Sequence, residues 1–182
     1  MLADVFEDQL AIHKPRSLAV LGCAGGNGFD RIIAKVTRRV VGVDLNRQYL
    51  NEVRDRFAAK FENMELVEGD VQTSAVAFEP VDLVYAALIL EYVKVDVTLR
   101  RMRDFLNQGG VLVTVVQLPS AILPAVTPSP YPSLEALAFL MQFVAPNNLS
   151  TVAERNGLRQ ISSATKQTPS GKQFQVQVFH AR

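Results

Sequence analysis

Apolar residues follow two spacings that alternate along the chain. Short, nearly continuous runs rich in Val and Leu recur at 18–21 (the end of SLAVL), 39–45 (RVVGVDL), 64–70 (MELVEGD), 81–88 (VDLVYAAL) and 111–118 (VLVTVVQL). Runs of this kind predict strands buried on both faces, hence a parallel sheet covered by helices. Between them the spacing widens to that of a helix. In NRQYLNEVRDRFAAKF (46–61), Tyr49, Leu50, Val53, Phe57 and Phe61 share one face behind Asn46 as N-cap. In KVDVTLRRMRDFLNQGG, Val95, Leu99, Met102, Phe105 and Leu106 form the stripe and Gly109–Gly110 the stop. FDRIIAKV, from Phe29, is also helix-like, and the acidic, amphipathic start MLADVFEDQLAIHK predicts one more helix.

The rhythm breaks at 117–146, which holds six of the nine prolines and then an apolar helix over about Leu134 to Val144. NNLSTVAERNGL predicts a helix stopped at Asn156–Gly157, and two alternating strands around TPSGK predict an antiparallel hairpin. The sum is a doubly wound α/β domain over 1–182: a mostly parallel seven-stranded sheet with an antiparallel C-terminal hairpin.

Composition removes several classes of function. A net charge of +1, with no basic run beyond TRR and RRMR, gives no footprint for nucleic acid. Cys23 is the only cysteine, so no intrachain disulfide can form; with His13 and His180 at opposite ends it makes no zinc pattern, and no metal is expected. No apolar stretch reaches the roughly 18 residues of a membrane span. The N-terminus does not read as a signal peptide, so the expected location is the cytoplasm.

LGCAGGNGFD (21–30) then stands out, with Gly22, Gly25, Gly26 and Gly28 directly after a strand and before a helix-like stretch. Such a loop lets the backbone approach a ligand, and a helix N-terminus adds free N–H groups and partial positive charge. Asp44, at the tip of the second strand, suits a ribose diol; Asp70, at the tip of the third and followed by the Val71 N–H, suits the polar edge of an adenine. All lie at carboxyl ends of adjacent strands, which points to an adenosine-containing ligand. The plainer use of the glycines is a tight turn needed for packing.

Taken in order, these segments resemble the class I S-adenosylmethionine-dependent methyltransferases over residues 15–182. LAVLGCAGGNG resembles the first motif, VVGVDLN the second-strand motif, VEGDV the adenine motif, VDLVYAALILEYV the fourth-strand motif, and LNQGGVLVTV the turn and fifth strand. The resemblance implies the Rossmann-like methyltransferase fold, S-adenosylmethionine as cofactor and S-adenosylhomocysteine as product. It implies cofactor contacts from Gly22, Cys23, Ala24, Gly26, Gly28, Asp44, Leu45, Asp70, Val71 and Ala87. It places Glu91 and Tyr92 near the cofactor as catalytic candidates, beside their plainer roles as a solvated helix start and a packing aromatic. Tyr85 reads as core. Two positions depart from the pattern: Val20 where the family carries Asp or Glu, and Ala24 where it carries a glycine that an alanine replaces without strain only at negative φ.

The implied reaction is methyl transfer by in-line displacement to a small-molecule acceptor. The segment at about 117–146 is the expected substrate lid or, alternatively, a homodimer contact. A non-catalytic cofactor-binding or interaction protein with the same fold is the second reading. An NAD(P)-dependent short-chain reductase is the third. It requires a Tyr-x-x-x-Lys pair, whereas Tyr49, Tyr85, Tyr92 and Tyr131 are followed four residues on by Val53, Ile89, Asp96 and Glu135. The absence of an Asn/Asp-Pro-Pro-Tyr signature argues against methylation of nucleic-acid bases or glutamine.

Overall fold

The computed structural model describes residues 1–120, 122–123 and 139–182. Helix α1 (Leu2–His13) leads into β1 (Ser17–Leu21), followed by β2 (Arg39–Asp44), α2 (Arg47–Phe57), β3 (Asn63–Glu68), β4 (Val81–Ala87), α3 (Val95–Asp104), β5 (Leu106–Gln117), α4 (Pro146–Arg155), β6 (Leu158–Gln167) and β7 (Gln173–Ala181). The strands form one sheet in the order β3-β2-β1-β4-β5-β7-β6. The first five are parallel, and β7 inserts antiparallel between β5 and β6. This is the expected fold. Strand order reverses between β1 and β4, and open α/β sheets bind ligands at the carboxyl ends beside such a reversal.

Period-two alternation sends each strand's residues to two apolar clusters. Leu18 and Val20 face a cluster with Phe6 of α1 and Val53 and Phe57 of α2. Ala19 and Leu21 face the other, with Leu99 and Met102 of α3 and Leu149 and Ala153 of α4. Asn46 caps α2 as expected, accepting the Gln48 N–H at 2.9 Å. Among the described residues, no helix is long and apolar enough to cross a membrane.

Three expectations need correction. FDRIIAKV forms no α-helix; only the 3-10 turn Phe29–Arg31 follows the glycine loop, and Ile32 is already extended. The Lys60 ammonium donates to the carbonyls of Phe29 and Asp30 at 3.0 and 2.7 Å, the acceptors that a first α-helical turn would use. Second, Gly109–Gly110 do not stop α3, which ends at Asp104; they lie inside β5, where pairing with β4 jumps from Val81–Leu106 to Leu83–Val111. Third, β3 is an edge strand and only partly buried. Most of the helix expected over about Leu134 to Val144 lies outside the described residues; Phe139–Leu140 are helical and the chain from Met141 is not.

Candidate functional site

The glycine loop leaves β1 at the sheet's carboxyl edge and is stitched to the neighbouring strand. The N–H groups of Gly22 and Cys23 both reach the Val43 carbonyl, at 2.8 and 3.1 Å. The Ala24 N–H donates to Asp44 Oδ2 at 2.8 Å, and the Asn46 N–H to Asp44 Oδ1 at 2.9 Å. Asp44 therefore binds loop, strand tip and the entrance to α2 together. A carboxylate has about four lone-pair positions, so roughly two remain for a ligand.

Gly22, Gly26 and Gly28 adopt left-handed φ of +67°, +81° and +93°. The space they clear is largely filled by protein. A Cβ on Gly26 would sit 2.8 Å from the Phe57 ring, on Gly28 3.0 Å from the Phe6 ring, and on Gly25 2.7 Å from a Glu52 carboxylate oxygen. The plainer use of these glycines, close packing, is thus real at Gly26 and Gly28: α1 and α2 press aromatic rings against the loop from below. Gly22 differs, since its Cβ would meet only the movable tip of Ile89 at 3.3 Å.

Ala24 has φ +45°, not the negative value at which an alanine fits without strain. Leu88, next to Ala87 at the tip of β4, has φ +56°. Bulky residues rarely adopt this region, and such strain collects at ligand sites. Val20, in the position of the family's acid, is a buried β1 residue paired with Tyr85 of β4. The Tyr85 ring packs on Phe6 with centroids 4.6 Å apart; it is core, and burial pushes its hydroxyl pKa up.

Cys23 is buried, and burial together with the charge of Asp44 pushes its thiol to about 12, so it stays a neutral packing group. Leu45 is 71% exposed beside Asp44. Asp70 begins a tight turn. Its Oδ1 accepts the Gln72 N–H at 2.9 Å, and the Gln72 amide reaches both its oxygens at 3.1 Å. The same amide accepts the Lys94 N–H at 2.8 Å, tying the β3 tip to the chain beyond β4. Sequence reasoning missed Gln72; its signal was the turn chemistry of Asp70. The Val71 N–H makes no hydrogen bond among the described residues.

On the other side of β4, Glu91 and Tyr92 lie in a second 3-10 turn, Leu90–Tyr92. Glu91 is not a solvated helix start: it is 1% exposed. Its Oε1 accepts the Gln117 N–H at 2.8 Å and its Oε2 has no partner. Its main-chain carbonyl accepts the Gln142 N–H at 2.9 Å. Burial raises the Glu91 pKa against the lowering by the Gln117 N–H. Burial, and then the Glu91 charge, raises that of the half-buried Tyr92. Among the described residues, no group of His, Cys, Asp and Glu could hold a metal ion. Grooves of about 330 and 340 Å³ run between α1 and the β6–β7 hairpin, and neither includes the loop, Asp44 or Asp70.

The structure thus brings the loop, Asp44, Asp70, Val71, Ala87, Glu91 and Tyr92 to one edge of the sheet. Residues 19–110 match a family described as a methyltransferase domain. The match spans half of the chain, and the chain belongs to that family, among the class I S-adenosylmethionine-dependent methyltransferases. No curated protein matches it by sequence.

The fold is similar to that of the N-methyltransferase NodS from Bradyrhizobium japonicum WM9 in complex with S-adenosyl-L-homocysteine, with TM-score 0.71, 16% identity, and 98% of this chain and 86% of that one covered. It is similar to magnesium protoporphyrin IX methyltransferase (ChlM) from Synechocystis PCC 6803 with bound SAH, with TM-score 0.74, 11% identity, and 100% and 82% covered. It is also similar to the [4+2]-cyclase SpnF, with TM-score 0.74, 11% identity, and 99% and 80% covered. At such identities the likeness is one of fold, and the cyclase illustrates that a fold does not fix a reaction.

Proposed function

We propose that the chain binds S-adenosylmethionine at the carboxyl edge of β1, β2 and β3 and transfers its methyl group to a small-molecule acceptor. The observation that carries this reading is Asp44, whose carboxylate fastens the loop through the Ala24 N–H and keeps lone pairs for a ribose diol. The Val71 N–H and Asp70 suit the adenine edge, with the Gln72 amide as the group to be displaced. Gly22, Cys23, Ala24 and Ala87 would line the approach to the methionine portion, and Leu45 the outer side of the ribose. Gly26 and Gly28 would act indirectly, by letting α1 and α2 hold the loop in place.

When bound, the cofactor supplies a methyl group made electrophilic by its sulfonium sulfur. The chain's own part is alignment and exclusion of water, worth several kcal/mol. Glu91 and Tyr92 are the acceptor-side groups. The expected substrate role of the segment at about 117–146 is supported by its two described ends, since Gln117 and Gln142 both donate to Glu91. With Val20 in place of an acid, the cofactor's methionine end loses one charge-assisted hydrogen bond, about 1.5–3 kcal/mol.

Val20, the strained Ala24 and the missing helix favour a second reading, a methyltransferase fold kept without turnover. Calorimetry separates the two, with S-adenosylmethionine and S-adenosylhomocysteine as ligands, NAD and NADP as controls, and Asp44→Asn as variant. Binding of both sulfur compounds, weakened in the variant, supports the enzyme. A folded protein that binds none of the four refutes it.

A further inference from the structure

Glu91 is the one buried carboxylate among the described residues, and only backbone N–H groups, with no opposite charge, offset its own. No ion pair reaches it, and the nearest cation in sequence, Lys94, is exposed. Its neighbours along the chain are the buried Leu90 and the half-buried Tyr92, and its hydrogen-bond partners come from Gln117, the last residue of β5, and from Gln142. One oxygen is spent on the Gln117 N–H; the other is buried with no partner. Leaving a buried acceptor unpaired is unfavourable, and leaving a buried charge without a counter-charge is more so. A residue needed only to hold the end of β5 could be a glutamine, whose carbonyl would take the same N–H without a charge.

We propose that the methyl acceptor is a small amine, bound as its ammonium ion, and that Glu91 Oε2 receives its N–H. This rests on the reading of the chain as a methyltransferase. Two features select an amine over other acceptors. Among the described residues no side chain brings a positive charge to Glu91, and among nitrogen, oxygen and sulfur nucleophiles the aliphatic amine is the one that arrives carrying it. An alcohol or phenol brings no charge, and a carboxylate brings the wrong one.

The ammonium must also shed a proton before its nitrogen has a lone pair to attack with. A carboxylate in an apolar setting takes that proton more readily than one in water, because the transfer removes both charges. The N–H bond breaks as the O–H bond on Oε2 forms. The freed nitrogen lone pair then makes the N–CH3 bond, and the electron pair of the broken C–S bond stays on sulfur. The products are the N-methylammonium ion and protonated Glu91.

The test is binding, so it does not depend on knowing the natural acceptor. Calorimetry first measures S-adenosylhomocysteine on the wild type and on Glu91→Gln, which preserves an acceptor for the Gln117 N–H. Thermal melts confirm that both are folded. With S-adenosylhomocysteine saturating, butylammonium and 2-phenylethylammonium are compared with 1-butanol and 2-phenylethanol. The expected result is a preference of about tenfold or more for each ammonium over its alcohol, collapsing to near parity in Glu91→Gln. No preference in the wild type, whether both bind equally or neither binds, overturns the assignment, as does a preference that survives the substitution. Absence of S-adenosylhomocysteine binding by the folded wild type overturns instead the reading of the chain as a methyltransferase.

Discussion

Replacing Gly26 by alanine should damage the fold before it damages any ligand site. The added methyl carbon would lie 2.8 Å from Phe57 Cε2 and 3.2 Å from Val53 Cγ2. Phe57 has little room to retreat, being buried with its ring 5.6 Å from that of Phe29. Overpacking of this kind costs about 1–3 kcal/mol. The φ of +81° adds roughly 1–2 kcal/mol for any residue with a Cβ. The stiffer unfolded chain returns about 0.4–1 kcal/mol. The net expectation is a loss of about 2–4 kcal/mol, or roughly 5–15 °C in Tm for a chain of this size.

Gly22→Ala is the control. It carries the φ cost at +67° but meets only a movable Ile89 tip, so its Tm should fall by less, about 2–5 °C. Thermal unfolding without cofactor, followed by circular dichroism, reads both. Calorimetry with S-adenosylmethionine, below either transition, should rank them in the opposite order, Gly22→Ala binding more weakly. A Gly26→Ala protein that melts within about 2 °C of wild type would refute the packing account and return that glycine to the ligand.

Three further substitutions probe the same edge. Asp44→Ala strands two N–H donors at a part-buried site and should cost about 1–3 kcal/mol by denaturant unfolding, whereas Asp44→Asn, which keeps an oxygen, should cost about half; equal losses would mean that the carboxylate does not hold the loop. Ala24→Gly relieves a φ of +45° worth roughly 1–2 kcal/mol and loosens the unfolded chain by about 0.4–1, so its Tm should not fall; a drop of more than about 2 °C would show that the alanine methyl packs usefully. Glu91 is held above its usual value near 4.5 by burial, so the folded state binds the proton more tightly than the unfolded one. Its stabilising contribution is complete below the unfolded value and is lost as pH rises through the folded one. The Tm difference between Glu91→Gln and wild type should therefore grow in the variant's favour as pH rises from about 4 to 8, and a difference independent of pH would contradict the burial of an ionisable acid there.

The sheet was legible because its signal is local. Runs such as LAVL and VLVTVV have no helical solution with one polar face, and Gln-Val alternation in the last strand announces an edge hairpin. The positions of Asp44 and Asp70 follow from strand ends, which are equally local. What escaped was decided at a distance. FDRIIAKV has helical spacing, yet the chain is extended at Ile32 and its first two carbonyls accept the ammonium of the distant Lys60. The glycine spacing shows that Cβ atoms are unwelcome but not which side of the backbone is crowded, and Phe6 and Phe57 supply the answer for Gly28 and Gly26. The burial of Glu91 depends on where β5 ends and where the chain at Gln142 returns, neither of which its own neighbours reveal.

These corrections change how the edge must hold a ligand. Without an α-helix after the loop, the loop itself adds no macrodipole of about half a charge to the site, and a three-residue turn does not replace it. The loop's geometry rests instead on hydrogen bonds to neighbouring strands. Ala24 is kept at φ +45° by Asp44 at the end of β2, and Leu88 at φ +56° has its N–H on the Val115 carbonyl of β5, at 2.9 Å. Ala24 and Leu88 thus each follow the tip of a central strand and are pinned by the strand beside it. Two conformations that each cost about 1–2 kcal/mol persist only where the surroundings over-determine them. The edge is therefore shaped before any ligand arrives. Its order derives from the sheet, and a cofactor that fits it has little of its own binding energy to spend on ordering the loop.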